Sequence, residues 1–193
     1  HLHKRLKRSL LSLLVGVLTL GPISTAFADD IYQQEDVMKI AADAGLVLDD
    51  FYKPKADIVI DANTGAILYG DNIDTVRDSG SMAKLMSAYV VFRALKEGKI
   101  KYDTVVTATA SDQAISENNL LSNSPIVAGV DYKVSELIKM LFVPSSSAAV
   151  IMLANAVTDN DPDKFLDLMN QYAQEMGMSH TKWHNPNGAM ISV

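Results

Sequence analysis

Between residues 56 and 98 the apolar pattern changes from short strand-like runs to the spacing of an α-helix, which strongly limits the possible folds. In ADIVIDANTGAILYGDN (56–72), two short runs of strand-forming residues, Ile58–Ile60 and Ala66–Tyr69, lie on either side of Asn63-Thr64-Gly65, which are turn-forming residues. From Met82 the apolar residues recur at positions i, i+3, i+4, i+7 and i+8. The sequence therefore predicts a β-hairpin followed by a helix that ends near Glu97-Gly98.

The rest of the chain adds more helices than strands. Residues 102–110 are rich in β-forming residues, whereas residues 111–131 are rich in Ser, Asn and Asp and predict a long irregular loop. The stretch HTKWHNPNGA (180–189) predicts a strand that enters an Asn-Pro-Asn-Gly turn. Hairpin, helices and further strands together predict an α+β domain. The further predicted helices are Val134–Phe142, Ser146–Val157 and Pro162–Met176, and residues 29–50 are interpreted as a lead-in or a short helix (Asp36–Gly45).

The N-terminal segment has the three parts of a secretory signal peptide. Four basic residues within positions 4–8 precede an apolar run over residues 10–20, and the small-residue site Ala26-Phe27-Ala28 follows. The apolar run is short for a membrane span, although an uncleaved N-terminal anchor is the alternative. We therefore expect residues 1–28 to be a signal peptide, residues 29–50 to be a lead-in, and the protein to be exported.

Composition limits both the chemistry and the partners. The sequence contains no cysteine, so it can form no disulfide and has no thiol nucleophile or thiolate metal ligand. Without residues 1–28 the chain keeps 13 basic and 23 acidic side chains, a net charge of −10. Such a surface repels polyanions, so we expect no binding to nucleic acid.

The segment DSGSMAKLM (78–86) places Ser81 three residues before Lys84 at the predicted start of a helix. Residues i and i+3 share one helix face, so the amine is expected near the hydroxyl. A lysine whose amine is neutral can remove the serine proton, and burial near a helix N-terminus lowers the lysine pKa. Free N–H groups of the first turn can also stabilise an oxyanion. This pattern predicts a serine nucleophile with a lysine base.

A simpler interpretation of this segment is that Ser81 caps the helix and Lys84 is solvated. The spacing alone does not decide, because Ser179-His180-Thr181-Lys182 has it too. We expect the second pair to lie in a strand, where an odd spacing sends the two side chains to opposite faces. That pair is interpreted as a coincidence.

Three stretches of this sequence resemble one protein family. GSMAKLMSAYVV (80–91) resembles the nucleophile segment of penicillin-binding proteins, specifically the low-molecular-mass serine D-Ala-D-Ala carboxypeptidases that trim peptidoglycan stem peptides. IVIDANTGAILYGDNID (58–74) is similar to the hairpin before that segment, and GMSHTKWHNPNGA (177–189) to a later family stretch. The resemblance covers about residues 51–190 and implies a β-lactamase/transpeptidase-like fold, in which helices pack on an antiparallel sheet.

The family carries three motifs, Ser-x-x-Lys, Ser-x-Asn and Lys-Thr-Gly. In LFVPSSSAAVIMLANA (141–156), Ser145 aligns with the second-motif serine, whose role in the family is to relay a proton to the leaving group. Ser147 stands at the substrate-binding position where the family has asparagine. Without the resemblance, the alternative explanation of these serines is that they cap the next helix. Ser116-Glu117-Asn118 also spells Ser-x-Asn, but it lies in the predicted loop and is interpreted as a decoy.

Lys-Thr-Gly does not occur in this sequence. In the family it lies on a strand well beyond the second motif, where it binds the substrate carboxylate and completes the oxyanion hole. We therefore expect residues 51–193 to be a partial catalytic domain, truncated before its closing strands. We also expect the chain as given not to hydrolyse substrate.

The resemblance implies that Ser81 attacks the penultimate D-Ala carbonyl, that terminal D-Ala leaves, and that water releases the acyl-enzyme. It implies no metal or organic cofactor. The expected partners are peptidoglycan stem peptides ending in D-Ala-D-Ala, with β-lactams as inhibitors. The expected location is outside the cytoplasm, at the cell wall or the outer face of the membrane, with membrane association through a C-terminal segment not in this chain as a further possibility.

Two other functions stay open. A serine β-lactamase shares the fold and Ser-x-x-Lys, but the Glu-x-x-Leu-Asn string of class A enzymes is absent from the sequence. A cell-wall-binding protein with a degenerate site is favoured by Ser147. His180 and His184 have the i, i+4 spacing of a zinc pair, but no helix is predicted there and no acidic third ligand is nearby. They are interpreted as ordinary histidines.

Overall fold

The structure, a computed structural model, describes residues 37–189, and the predicted signal peptide at residues 1–28 lies outside them. The described chain divides into two compact units, with the boundary between Thr75 and Val76. Elements are numbered here in chain order. No helix within the described part of the chain is long and apolar enough to span a bilayer.

The first unit contains a short helix and the predicted β-hairpin. Strands β1 and β2 pair antiparallel with Asp57 opposite Asp71, which confirms the hairpin. Its turn is held by Asp61, whose carboxylate accepts the N–H groups of Asn63 and Thr64. Gly65 completes the turn with φ +75°, a conformation that favours glycine. The elements are α1 (Val37–Asp43), a 3₁₀ turn (Asp50–Tyr52), β1 (Asp57–Ile60) and β2 (Ile67–Asp71).

The second unit contains five helices and a two-stranded antiparallel sheet within its described residues. The three helices predicted after residue 130 are present within one residue of their predicted bounds, and the helix predicted from Met82 begins one residue later. The elements are a 3₁₀ turn (Gly80–Met82), α2 (Ala83–Lys96), β3 (Val105–Thr107), α3 (Ala110–Ser116), β4 (Asp131–Lys133), α4 (Val134–Phe142), α5 (Ser147–Thr158) and α6 (Pro162–Glu175).

Helix α5 forms the centre of the second unit. It packs against α2, α3, α4 and α6, and its sequence SAAVIMLANAVT has small or apolar residues on most of its surface. A helix that is apolar nearly all round is stable only when other elements cover it. Its N-terminus is therefore fixed by packing from several sides, and the second-motif serines lie at this end. Its fully buried apolar residues are Ala148, Ala149, Val150, Met152, Leu153 and Ala154.

The prediction of an irregular loop over residues 111–131 is wrong at both ends. Helix α3 occupies its start, because Thr109 and Asp112 form a capping box in which each side chain accepts the other residue's backbone N–H. Strand β4 begins at Asp131 and pairs with β3. The polar composition that suggested a loop therefore includes a helix cap, and only the middle of the segment is irregular.

The strand predicted at the start of residues 180–189 is absent from the described structure. Residues 181–183 have no regular secondary structure, and the backbone of Trp183 bonds to a side chain instead of a neighbouring strand. The Trp183 N–H donates to the Asn170 side-chain oxygen at 2.8 Å, and the Asn170 amide donates to the Trp183 carbonyl at 3.0 Å. A carboxamide thus replaces the strand partner.

Candidate active site

Ser81 and Lys84 meet at the junction between a 3₁₀ turn and α2. Ser81 lies in the turn, Lys84 lies in the first turn of α2, and Lys84 Nζ is 3.2 Å from Ser81 Oγ. The Ser81 residue is exposed, whereas Lys84 is only 3% exposed. The hydroxyl of an exposed residue thus lies beside the amine of a buried lysine, an arrangement in which the lysine can activate the serine.

The interpretation of Ser81 as a helix cap is wrong. The residues that precede the 3₁₀ turn and α2 are Ser79 and Met82, and neither caps with its side chain. The Met82 N–H donates to the Ser79 carbonyl, and the Ala83 N–H donates to the carbonyls of Gly80 and Ser81. Because the 3₁₀ turn satisfies these donors itself, the Ser81 hydroxyl is not needed as a cap.

The expectation of free N–H groups at this helix start holds only for the beginning of the turn, before Met82. The Met82 and Ala83 N–H groups are bonded, but the Ser81 N–H donates to no other group within residues 37–189. This donor lies on the same residue as the proposed nucleophile. An unoccupied N–H there can stabilise negative charge on an oxygen that the serine attacks.

Burial also changes the acidity of Lys84. Because removal from water penalises the charged form, the pKa of the Lys84 ammonium is lowered from its ordinary value of 10.5. A larger fraction of the amine is therefore neutral at a given pH than for a solvated lysine. Only the neutral form has a lone pair that can accept the Ser81 proton.

The segment between α4 and α5 brings Ser145 to the same amine. Lys84 Nζ lies 3.2 Å from Ser145 Oγ, equal to its distance from Ser81 Oγ. Ser145 has φ +57°, a left-handed conformation that is uncommon for residues other than glycine. The surrounding hydrogen bonds hold the segment: the Ser146 N–H donates to the Met140 carbonyl, and Ser146 Oγ caps α5 by accepting the Ala149 N–H.

Ser147, the residue in place of the family asparagine, is the first residue of α5 and is 1% exposed. Its N–H donates to the Ser122 carbonyl. The neighbouring Ala148 N–H donates to the Asn123 side-chain oxygen at 3.0 Å, and the Asn123 amide donates to the Ile115 carbonyl at 2.9 Å. The irregular segment after α3 therefore holds the N-terminus of α5 next to Ser145.

Asn123 is a residue that supports the segment of the candidate site and that the sequence reasoning missed. It lies in the segment predicted as an irregular loop, and no motif contains it. The sequence gives only an indirect indication that such a residue exists. The first four N–H groups of α5 lack acceptors within the helix, and Ser146 supplies an acceptor for one of them. Which distant residue supplies another acceptor depends on tertiary packing, so the sequence pattern alone could not identify Asn123.

The other residues that the sequence motifs singled out lie outside the cluster of Ser81, Lys84 and Ser145. Ser116 Oγ donates to the Gln113 carbonyl within α3 and accepts the Ile126 N–H, so it ties the irregular segment after α3 to that helix. Ser179 and Lys182 are both exposed, in contrast to the buried Lys84. His180 and His184 are exposed and lie outside the helices. Within residues 37–189 no three His, Cys, Asp or Glu side chains are grouped so that they could hold a metal ion.

Comparison with known proteins gives a consistent result. The family model described as D-alanyl-D-alanine carboxypeptidase matches residues 48–190. The carboxypeptidase DacF of Bacillus subtilis is 25% identical over 95% of this chain, and DacA of Escherichia coli is 31% identical over 68% of it. The solved structure of penicillin binding protein 5 from Haemophilus influenzae superimposes with a TM-score of 0.65 at 31% identity, and the match covers 70% of this chain.

The comparisons also define what part of these proteins the chain represents. It spans 43% of the Bacillus relative, 33% of the Escherichia relative and 39% of the Haemophilus structure. These similarities confirm the α+β penicillin-binding fold that the sequence resemblance predicts. The chain belongs to the D-alanyl-D-alanine carboxypeptidase family of penicillin-binding proteins.

Proposed function

We propose that the protein containing this chain is a serine-type D-alanyl-D-alanine carboxypeptidase that removes terminal D-Ala from peptidoglycan stem peptides. The observation that carries the proposal is the position of Lys84 Nζ, 3.2 Å from both Ser81 Oγ and Ser145 Oγ. These distances are within the range over which a base can take a proton from a hydroxyl. Membership of the family supplies the substrate class.

In the proposed mechanism, the neutral Lys84 amine takes the Ser81 proton as Ser81 Oγ attacks the penultimate D-Ala carbonyl. The Ser81 N–H stabilises the resulting oxyanion. The peptide C–N bond then breaks, and the leaving nitrogen receives a proton through the Ser145 hydroxyl, which Lys84 also contacts. Water hydrolyses the Ser81 ester and regenerates the hydroxyl. Ser147 is assigned to substrate binding, where a hydroxyl has a shorter reach than the family's carboxamide.

The relatives differ in their names and therefore in the reactions assigned to them. One relative, from Pseudomonas aeruginosa, is a D-alanyl-D-alanine endopeptidase, and it is 29% identical over 77% of this chain. Both names specify cleavage of a bond that follows D-Ala. A carboxypeptidase removes the C-terminal residue after that bond, whereas an endopeptidase cuts a bond that has further chain on both sides. We assign carboxypeptidase activity because the family model and most of the named relatives carry that description.

A non-catalytic cell-wall-binding protein is the second candidate, and Ser147 is the residue that favours it. A serine hydroxyl cannot hold both the substrate and the Lys84 amine as a carboxamide can. Under this proposal the protein would bind D-Ala-D-Ala peptides but release D-Ala slowly or not at all. S147N should then increase D-Ala release, provided that the larger side chain fits at this buried position, which thermal unfolding would check.

The test measures D-Ala released from a peptide ending in D-Ala-D-Ala by the natural protein, with a D-Ala-L-Ala peptide as control. We expect stereospecific release by the wild type and none by S81A. Hydrolysis of penicillin at a rate exceeding D-Ala release would identify a β-lactamase. Peptide binding without release, in a folded protein, would support the wall-binding function.

Location and domain organisation belong to the same proposal. We propose that export removes residues 1–28, that residues 29–50 form a lead-in, and that residues 51–193 belong to the catalytic domain. The protein would then act outside the cytoplasm, where peptidoglycan is located. Membrane association, if present, would come from a C-terminal segment. N-terminal sequencing of the exported protein should begin at Asp29; retention of residues 1–28 would indicate an anchor.

A further inference from the structure

The Asn-Pro-Asn-Gly segment (185–188) packs against the turn that carries Ser81. Gly188, with φ +73°, is so close to this turn that a β-carbon at position 188 would lie 1.7 Å from the Gly80 carbonyl oxygen and 2.5 Å from the Gly80 carbonyl carbon. It would also lie 3.1 Å from Ala83 Cβ. The two closest contacts are with backbone atoms, which cannot rotate away as a flexible side chain can.

Three hydrogen bonds hold this segment in position. The Asn185 side-chain oxygen accepts the Gly188 N–H at 2.6 Å, and the Asn185 amide donates to the Ala189 carbonyl at 2.8 Å. Ser87, a fully buried residue of α2, donates its hydroxyl to the Pro186 carbonyl at 2.6 Å. The segment is thus attached to the helix that also carries Lys84.

The atoms that Gly188 touches are chemically connected to the proposed nucleophile. The Gly80 carbonyl and the Ser81 N–H belong to one planar peptide group, so a displacement of one moves the other. The Gly80 carbonyl also accepts the Ala83 N–H that closes the 3₁₀ turn. The position of the Gly80 carbonyl therefore determines where the Ser81 N–H points.

We propose that Gly188 is a positioning residue for the reaction: its lack of a side chain allows the Gly80–Ser81 peptide group to adopt the orientation that sets Ser81 against Lys84. This inference rests on the proposed role of Ser81 as nucleophile. The distance between a β-carbon at position 188 and the Gly80 carbonyl oxygen would be 1.7 Å in the present structure, and the two atoms would have to separate to at least 3.0 Å. A misplacement of about 1 Å in a reacting group can reduce a rate about 100-fold.

The test compares G188A with G98A, because the two glycines have the same φ of +73° while nothing lies within 4 Å of a β-carbon at position 98. Both variants place an alanine at the same positive φ, and only G188A collides with the 3₁₀ turn (Gly80–Met82) that carries Ser81. In the natural protein we expect acylation by a fluorescent penicillin to be about 100-fold slower in G188A and near the wild-type rate in G98A. Non-covalent affinity for the penicillin should change much less than the acylation rate.

A second readout does not depend on catalysis. Gly80–Ser81 is the only Gly-Ser step within residues 1–193, so labelling glycine carbonyl carbons with ¹³C and serine nitrogens with ¹⁵N gives one selected amide from this part of the protein, and the signal that S81A lacks is that of Ser81. This signal should move in G188A and stay in place in G98A. If G188A does not fold, S87A provides the same comparison, with an expected loss of acylation rate of about tenfold or less.

The outcomes separate the two proposals. Acylation at the wild-type rate and an unmoved Ser81 signal in folded G188A would overturn the positioning role while leaving the nucleophile intact. Equal losses in G188A and G98A would also overturn it, because they would indicate general backbone strain. If the wild type is not acylated but the Ser81 signal moves only in G188A, the contact stands and the proposed function fails.

Discussion

The chain contains the same spacing twice, Ser81 with Lys84 and Ser179 with Lys182, and the two regions differ in structure. Lys84 is buried on a long helix, 3.2 Å from the Ser81 hydroxyl and from a second serine. Lys182 is exposed in an irregular segment after the end of α6. The comparison teaches that the motif acquires chemical meaning from burial of the lysine and from the helix that fixes the serine beside it.

The largest effect is expected when the proposed nucleophile is removed. S81A should abolish labelling by fluorescent penicillin and release of D-Ala, because no oxygen remains to form the ester. Labelling on a denaturing gel measures the effect, with the two proteins at equal concentration and their folding compared by circular dichroism. Labelling of S81A at the wild-type level would show that another residue reacts.

Removal of the base should have the next largest effect. K84A and K84R should each acylate about 10²- to 10⁴-fold more slowly than the wild type, as expected for loss of a general base. K84R is the sharper variant because it keeps a positive charge but cannot deprotonate near neutral pH. Stopped-flow acylation kinetics provide the measurement. A wild-type rate in K84R would mean that Lys84 contributes charge and not basicity.

The pH dependence of acylation should report the buried amine. The neutral Lys84 amine becomes more abundant as pH rises, so the acylation rate should rise with pH. Because burial lowers the Lys84 pKa below 10.5, this rise should end at a pH below 10.5. Below that pKa the rate should fall about tenfold per pH unit. The same pKa shift lowers the free energy of unfolding at low pH, where Lys84 is protonated. The free energy of unfolding should rise as pH passes the lowered pKa and approaches 10.5. A rate that falls with rising pH across this range would contradict the assignment.

Loss of the Asn123 side chain should have a smaller effect. N123A removes the acceptor of the Ala148 N–H, so the N-terminus of α5 and the adjacent Ser145 should be held less firmly. We expect a decrease in acylation rate of about tenfold, comparable to the loss of one or two hydrogen bonds. The matched control is N119A, which changes an exposed asparagine of the same segment and should have the wild-type rate. Equal rates for N123A and the wild type would show that Ser145 is positioned without it.

The second Ser-Lys pair should give no effect. S179A and K182A change exposed side chains outside the cluster and should acylate within about twofold of the wild type, with unfolding temperatures nearly unchanged. The same penicillin assay measures both variants. A substantial loss of acylation in either would mean that the second match contributes to the site.

Sequence reasoning predicted the parts of the fold that depend on local pattern. The hairpin at residues 57–71 and helix α4 follow directly from apolar periodicity and turn residues. The pairing of Trp183 with Asn170 and the capping of α5 by Asn123 could not be predicted, because each depends on a side chain distant in sequence. The Ser81–Lys84 contact was predictable because it lies within one helical turn, whereas the approach of Ser145 needed the family resemblance.

The most direct test of the central claim is identification of the residue that penicillin acylates. The natural protein would be incubated with penicillin, digested, and its peptides fragmented in a mass spectrometer. We predict a penicilloyl ester on Ser81. All other serines should stay unmodified, in particular Ser79, Ser145 and Ser179. An adduct on any other residue, or no adduct on a folded protein, would contradict it.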